Sequence, residues 1–358
     1  MKRTEVRSHI AYFDFLRIFA TLAVILVHVS AQNWEAVEVT SSTWKLFNIA
    51  NSAGRWCVPM FCMISGALFL DNAKPLDTKR LLTHNLPRLV TAFLFWSGIY
   101  AAVMLLKGEA LADVLPVFVK GHYHMWFLYM IAGLYLAAPV LRMVTESKTA
   151  TEYFLVASFL FIIAIPRTLH FLGCLDLPYT LGALVDAAGE AYDYVNFLFL
   201  HTYGFYFVLG FYLYKYELGK TPRRWAHGLG IAGYFATVLL TNWYSVKTGG
   251  ASVEFYADSS LNVFCMAVGL FLLGKYTLSR VELKETGRNR LQKVSQCTFG
   301  MYLGHALVME TFQERLGLNT LAFHPAISIV VITAAVAAVS YLLSALLNRI
   351  PVLGKYVV

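Results

Sequence analysis

Residues Phe13 to Ser30 read FDFLRIFATLAVILVHVS, a run apolar and long enough to enter a bilayer that nevertheless holds Asp14, Arg17 and His28. An arginine near the centre of a membrane helix costs about 2.5–3.5 kcal/mol on insertion scales, so such residues face a protein interior or a wet cavity. At about 100° per residue, the step from Arg17 to His28 comes to three turns and about 20° more. Both side chains therefore share one stripe, about 16 Å apart along the axis. Asp14 lies within about 40° of that stripe and one turn before Arg17, placed to pair with it. A polar stripe with a cation at one end and an imidazole deeper in points to a ligand threaded along the helix. Lys2, Arg3 and Arg7 before the run and Val29-Ser30-Ala31 after it imitate a cleavable signal, but the charges inside the run argue for a retained first span.

Of the 358 residues 58% are hydrophobic and 14% charged, against about 25% charged in soluble domains, which marks a polytopic membrane protein. Ten spans are predicted at about 11–32, 47–70, 87–106, 123–144, 152–171, 195–214, 225–245, 260–277, 297–314 and 324–347. They make an all-α protein, a single bundle and one domain over residues 1–358, with no repeat and no linker. Of the 29 Lys and Arg, 21 fall in one alternate set of inter-span segments and 6 in the other, while Arg17 and Arg55 lie within spans. That bias predicts both termini in the cytoplasm and ascribes the net charge of +8 to topology rather than to nucleic-acid binding. The five cysteines have neither metal-ligand spacing nor the density of a disulfide framework, so no metal site is expected.

This topology gives each polar residue a depth. Arg17, Arg88, Ser65 and Gly66 fall toward the inner side, with Lys79 and Arg80 in the adjoining loop. His28, Arg55, His124, Trp126, His201 and Glu310 gather toward the outer side, with Tyr302 counted among the acceptor-side residues, and His305, one turn from Tyr302, lies nearer the middle. A cationic inner end suits phosphate, which guanidinium grips in a bidentate way. An outer end of imidazole, aromatic and carboxylate groups suits a sugar-like acceptor and proton transfer.

Each residue also has a plainer reading. His28 is a candidate general base or a core histidine bonded to a neighbouring helix; Arg17 is a phosphate ligand or a snorkelling partner of Asp14. Arg88, after Pro87, sits where interfacial arginines are common. Ser65 and Gly66 serve close helix packing as readily as ligand contact. His122 reads as an ordinary interfacial histidine, Tyr302, His305 and Glu310 as catalysis or a structural network, and Tyr203, Tyr206, Tyr212 and Tyr214 as packing.

Arg17, ten residues and His28 resemble the first-helix motif of acyltransferase family 3, integral-membrane O-acyltransferases that modify surface polysaccharides, and Asp14 matches that family's FD-x-LR opening. VPMFCMISGALF (58–69), MWFLYMIAGLYLAAPVL (125–141) and TFGMYLGHALVME (298–310) are similar to three further motifs of the family, in order, and the likeness covers about residues 10–347. SAGRWCVP resembles the enterobacterial common antigen O-acetyltransferase type most closely. One departure stands out. Many members carry two arginines three apart before the third helix, followed by a proline; here Asn85 takes the first place, Arg88 the second, and Ala92 replaces the proline.

The resemblance implies a multi-pass enzyme of the bacterial inner membrane. It would move an acyl group, foremost acetyl, from cytoplasmic acyl-CoA to a hydroxyl of a surface polysaccharide or its lipid-linked precursor. Acetyl-CoA enters as a substrate, with no bound cofactor. Arg17, Arg88 and Arg80 would hold the CoA phosphates, and the pantetheine arm would run past Ser65 and Gly66. His28 would act as base, with Asp14 and His305 in support and Arg55, His124 or His305 steadying the oxyanion. Some members carry a fused extracytoplasmic SGNH-type domain, and none is expected within these residues. The competing class is a secondary transporter or flippase of a polysaccharide precursor, since intramembrane His, Arg and Asp also mark proton relays.

Overall fold

The computed structural model describes residues 10–71, 76–194 and 202–358. Among them there is no strand. Helix α1 (Ala11–Ala31) is unbroken, so the stripe from Arg17 to His28 keeps its geometry. The hydroxyls of Thr21 and Ser30 donate back to the carbonyls of Arg17 and Leu26 at 2.9 and 2.7 Å, which satisfies them inside an apolar helix.

The span expected at 47–70 is in fact two helices, α2 (Ser42–Gly54) and α3 (Cys57–Phe69). Ser41 caps α2 by accepting the Trp44 N–H at 3.1 Å. Pro59 has no N–H to return to the Arg55 carbonyl, so the ladder breaks there and Arg55 becomes the joint. A short α4 (Thr78–Arg80) passes through a wide π-helical turn at 81–85 into α5 (Leu86–Leu106). Pro87 removes the N–H that Thr83 would accept, and the wide turn absorbs the loss. The same device, with Pro166, joins α8 (Lys148–Ser158) to α9 (Ile165–Gly173), after α6 (Leu111–Lys120) and α7 (Trp126–Thr145).

Helix α10 (Tyr179–Asp193), exposed along its length, is not predicted by the hydropathy pattern. The chain continues through α11 (Thr202–Lys215), α12 (Lys220–Thr248), α13 (Leu261–Tyr276), α14 (Glu285–Leu316), α15 (Pro325–Leu347) and α16 (Pro351–Tyr356). Among the described residues six stretches are long and apolar enough to cross a membrane: 11–31, 78–106, 126–145, 148–173, 254–280 and 325–347. Of the other four expected spans, that at 47–70 falls on two shorter helices (α2, α3), those at 225–245 and 297–314 on more polar ones (α12, α14), and that at 195–214 is described only from Thr202, as α11. The first residues of the span at 195–214 lie outside the described residues.

In lipid the hydrophobic effect adds little between helices, so close packing decides which ones associate. A Cβ on Gly66 of α3 would stand 1.7 Å from the Phe207 carbonyl oxygen of α11, and one on Gly210 would stand 2.0 Å from that of Met63. The two backbones touch, and only glycine permits it. Lys275 of α13 seals the end of α11, its Nζ reaching the carbonyls of Leu213, Tyr214 and Tyr216 at 2.9–3.1 Å and Glu217 at 2.9 Å. Its ammonium holds the Glu217 carboxyl below the usual carboxylate range. Aromatic side chains fill the centre, Phe13, Trp96, Phe207 and Phe271 among them. Helix α1 runs through the middle, packed on α2, α3, α13, α14 and α15.

Candidate active site at the end of the first helix

A cavity of about 510 Å³ opens beside the C-terminal half of α1, lined by Val24, Val27 and His28 of that helix. Four imidazoles meet on one side. His28 and His305 lie nearly parallel, ring centroids 4.9 Å apart and planes 18° apart, with His28 Nδ1 2.8 Å from His305 Nε2. His305 Nδ1 is 2.6 Å from the Tyr302 carbonyl oxygen. His124 stands edge-on to His305 at 4.9 Å, its Nε2 3.3 Å from the Leu303 carbonyl and its Nδ1 3.1 Å from His122 Nδ1. His122 Nε2 is in turn 3.0 Å from Glu310 Oε1.

These contacts fix the tautomers of neutral rings. A carbonyl only accepts, so His305 Nδ1 carries the hydrogen and its Nε2 keeps a lone pair. His28 must then donate through Nδ1, which leaves the lone pair of a neutral His28 on Nε2. Among the described residues Nε2 has no hydrogen-bond partner and is not sealed off. The same reasoning puts hydrogen on His124 Nε2, so both nitrogens of His124 and both of His305 are committed.

Helix α14 carries the frame. The Tyr302 hydroxyl donates to the main-chain oxygen of His124. Tyr100 of α5 bridges the Leu303 carbonyl (2.9 Å) and the Leu307 N–H (3.2 Å), and its ring stacks on His122 at 4.1 Å. The glycines of GMYLGH let α14 approach its neighbours, a Cβ on Gly304 falling 3.0 Å from Trp96.

The other wall of the cavity is charged and aromatic. Arg55, freed at the α2–α3 joint, donates Nε–H to Asn51 Oδ1 at 2.7 Å and lies 4.0 Å over the Tyr256 ring. Asn51 is itself anchored to α1 through Val27 O and Ser30 Oγ, both at 2.9 Å. Asp258 accepts the Tyr203 hydroxyl at 3.0 Å, and its main-chain oxygen accepts Tyr206 at 2.7 Å. Trp126 lies 5.7 Å from the Tyr203 ring.

The residues expected at the inner end assemble only in part. Asp14 is buried, accepts Ser295 Oγ at 2.7 Å and pairs with Arg17 at 3.4 Å. Arg17 and Arg88 both lie within electrostatic reach of the Tyr135 hydroxyl. Arg88 donates to the main-chain oxygen of Val358 at 2.6 Å, and its buried Nε has no partner among the described residues. Arg80 is exposed. Gly66 is taken up by its contact with Phe207, and Ser65 beside it is half-buried. None of Arg17, Arg88, Ser65 and Gly66 lines the cavity at His28. At the outer end, His28, Arg55, His124, Trp126 and Tyr302 share the cavity wall, His305 and Glu310 stand behind it, and His201 lies outside the described residues.

Sequence reasoning missed Asp258 and Tyr256, set His122 aside, and took Tyr203 for packing. The signal for Asp258 was three polar residues in a row, Asp258-Ser259-Ser260, directly before an apolar run. Tyr203 carries no such mark.

Helices that cross a membrane and a histidine-walled cavity within them define a multi-pass membrane protein with the furnishings of an enzyme. The family model described as an acyltransferase domain matches residues 10–345, and the chain belongs to that family, acyltransferase family 3. It is a membrane acyltransferase. No curated protein and no solved structure matches it.

Proposed function

We propose that the protein is an O-acyltransferase of the bacterial inner membrane. It transfers an acyl group, most simply acetyl, from cytoplasmic acyl-CoA to a hydroxyl of a surface polysaccharide or its lipid-linked precursor. The observation that carries this reading is the chain from His28 through His305 to the Tyr302 carbonyl, which leaves Nε2 of His28 with its lone pair at a cavity. In the reaction Nε2 takes the proton of the acceptor hydroxyl as its oxygen attacks the thioester carbonyl. The tetrahedral intermediate then collapses, the C–S bond breaks, and the thiolate of CoA leaves with the proton returned from His28.

Of the groups able to steady the oxyanion, His124 and His305 have no hydrogen left to give. Arg55 keeps its terminal N–H groups, which form no hydrogen bond among the described residues, so it takes that role. Arg17 and Arg88, both near Tyr135, bind the phosphates of CoA from the cytoplasmic side, where both termini also lie. Asp14 fixes Arg17. Incubating the purified protein with labelled acetyl-CoA and a glycan fraction tests the proposal through label on the glycan and free CoA. Translocation of glycan with no CoA released would identify a transporter instead.

A further inference from the structure

Asp258 shares the cavity with His28, and the transfer chemistry gives it no task. Opposite charges within a bundle attract strongly, and Arg55 lies within electrostatic reach of Asp258. Yet the two form no ion pair among the described residues. Each is held back by its own partners. Arg55 is tied to Asn51 and lies on Tyr256, while Asp258 is tied through its carboxylate to Tyr203 and through its main chain to the buried Tyr206. The gap between them is therefore built into the fold.

A neutral group with a donor and an acceptor side by side fits such a gap. One hydroxyl donates to the carboxylate and its neighbour accepts from the guanidinium. Vicinal hydroxyls of a pyranose ring have that arrangement. Trp126, 42% exposed and on the same wall, offers a flat apolar face to the C–H side of such a ring.

Resting on the transferase reading, we propose that Asp258, set against Arg55, reads adjacent hydroxyls of the acceptor sugar, with Trp126 as the platform. Tyr203 is the positioning residue that aims the carboxylate. The guanidinium has enough N–H groups to serve both the sugar and the oxyanion.

The test is a titration of the purified full chain in detergent, read by tryptophan fluorescence. The probes are methyl β-glucoside, methyl β-galactoside, methyl N-acetyl-β-glucosaminide and deoxy analogues that lack one of two adjacent hydroxyls. Wild type should bind at least one parent sugar, and Asp258→Asn should bind it about tenfold more weakly or worse, as loss of a charged acceptor implies. Removing the hydroxyl should weaken binding to wild type but not to the variant. If the asparagine variant does not fold, Tyr203→Phe takes its place and should lose several-fold. No binding by any parent sugar, an unchanged affinity in the variants, or equal losses for parent and deoxy sugars would overturn the proposal. Asp258-dependent binding in a protein that releases no CoA would leave this inference standing and sink the transferase reading instead.

Discussion

Replacing His305 with leucine isolates the role of the tautomer chain. Leucine fills similar space but cannot accept the hydrogen of His28 Nδ1 across the present 2.8 Å contact. The His28 hydrogen is then no longer held on Nδ1, and the lone pair leaves Nε2 for part of the population. A hydrogen bond of this kind is worth about 0.5–1.5 kcal/mol net, and a buried donor left unpaired costs about 1–3 kcal/mol. At about 1.4 kcal/mol per decade, the reactive tautomer falls by roughly three- to a hundredfold, and kcat falls with it. The KM for acetyl-CoA should stay put, because His305 is far from Arg17 along the helix bundle. Single-turnover release of CoA, followed with a thiol reagent, measures the effect. His305→Gln should recover part of the loss, since an amide oxygen accepts where Nε2 did. A leucine variant with wild-type kcat, or a glutamine variant no better than leucine in proteins of equal thermal stability, would refute the reasoning.

Replacing His28 with alanine should lower transfer by about 10²- to 10⁴-fold while membrane insertion stays intact, as CoA release and membrane fractionation would report. Arg17→Ala should raise the KM for acetyl-CoA by about tenfold or more with little change in kcat, and an unchanged KM would remove Arg17 from phosphate binding. Gly66→Ala sets a methyl carbon 1.7 Å from the Phe207 carbonyl, so the loss of stability should exceed the roughly 1–3 kcal/mol of ordinary overpacking. A melting temperature in detergent equal to that of wild type would contradict the α3–α11 contact.

The parts of the fold that sequence revealed are those set by a local rule. Helical periodicity placed Arg17 and His28 on one face, and α1 runs unbroken through both. Hydropathy marked the apolar helices but was blind to α10, whose exposed sequence is helical without being apolar enough to register. The break at Arg55 was written in Pro59, yet reading it required knowing which carbonyl that proline deprives. Arg55, His124 and Trp126 were legible because charge, imidazole and indole are uncommon in spans. His122 reads as an ordinary interfacial histidine, and that reading conceals its relation to His124, nitrogen to nitrogen, with Glu310 behind. Tyr203 and Asp258 are 55 residues apart and meet only through the tertiary packing of α11 beside the segment before α13. Nothing local in either residue announces the pair.

The glycine contact between α3 and α11 and the Tyr100 bridge between α5 and α14 act as two rivets. A slide or roll at the first would drive one backbone into another, and at the second would break the hydrogen bonds that the Leu303 carbonyl accepts and disturb the imidazoles behind it. Any opening that admits a donor from one face and a glycan from the other must therefore hinge elsewhere. Each riveted pair travels as one piece, and the proline-widened turns at 81–85 and 159–164 remain as the natural places for the backbone to give.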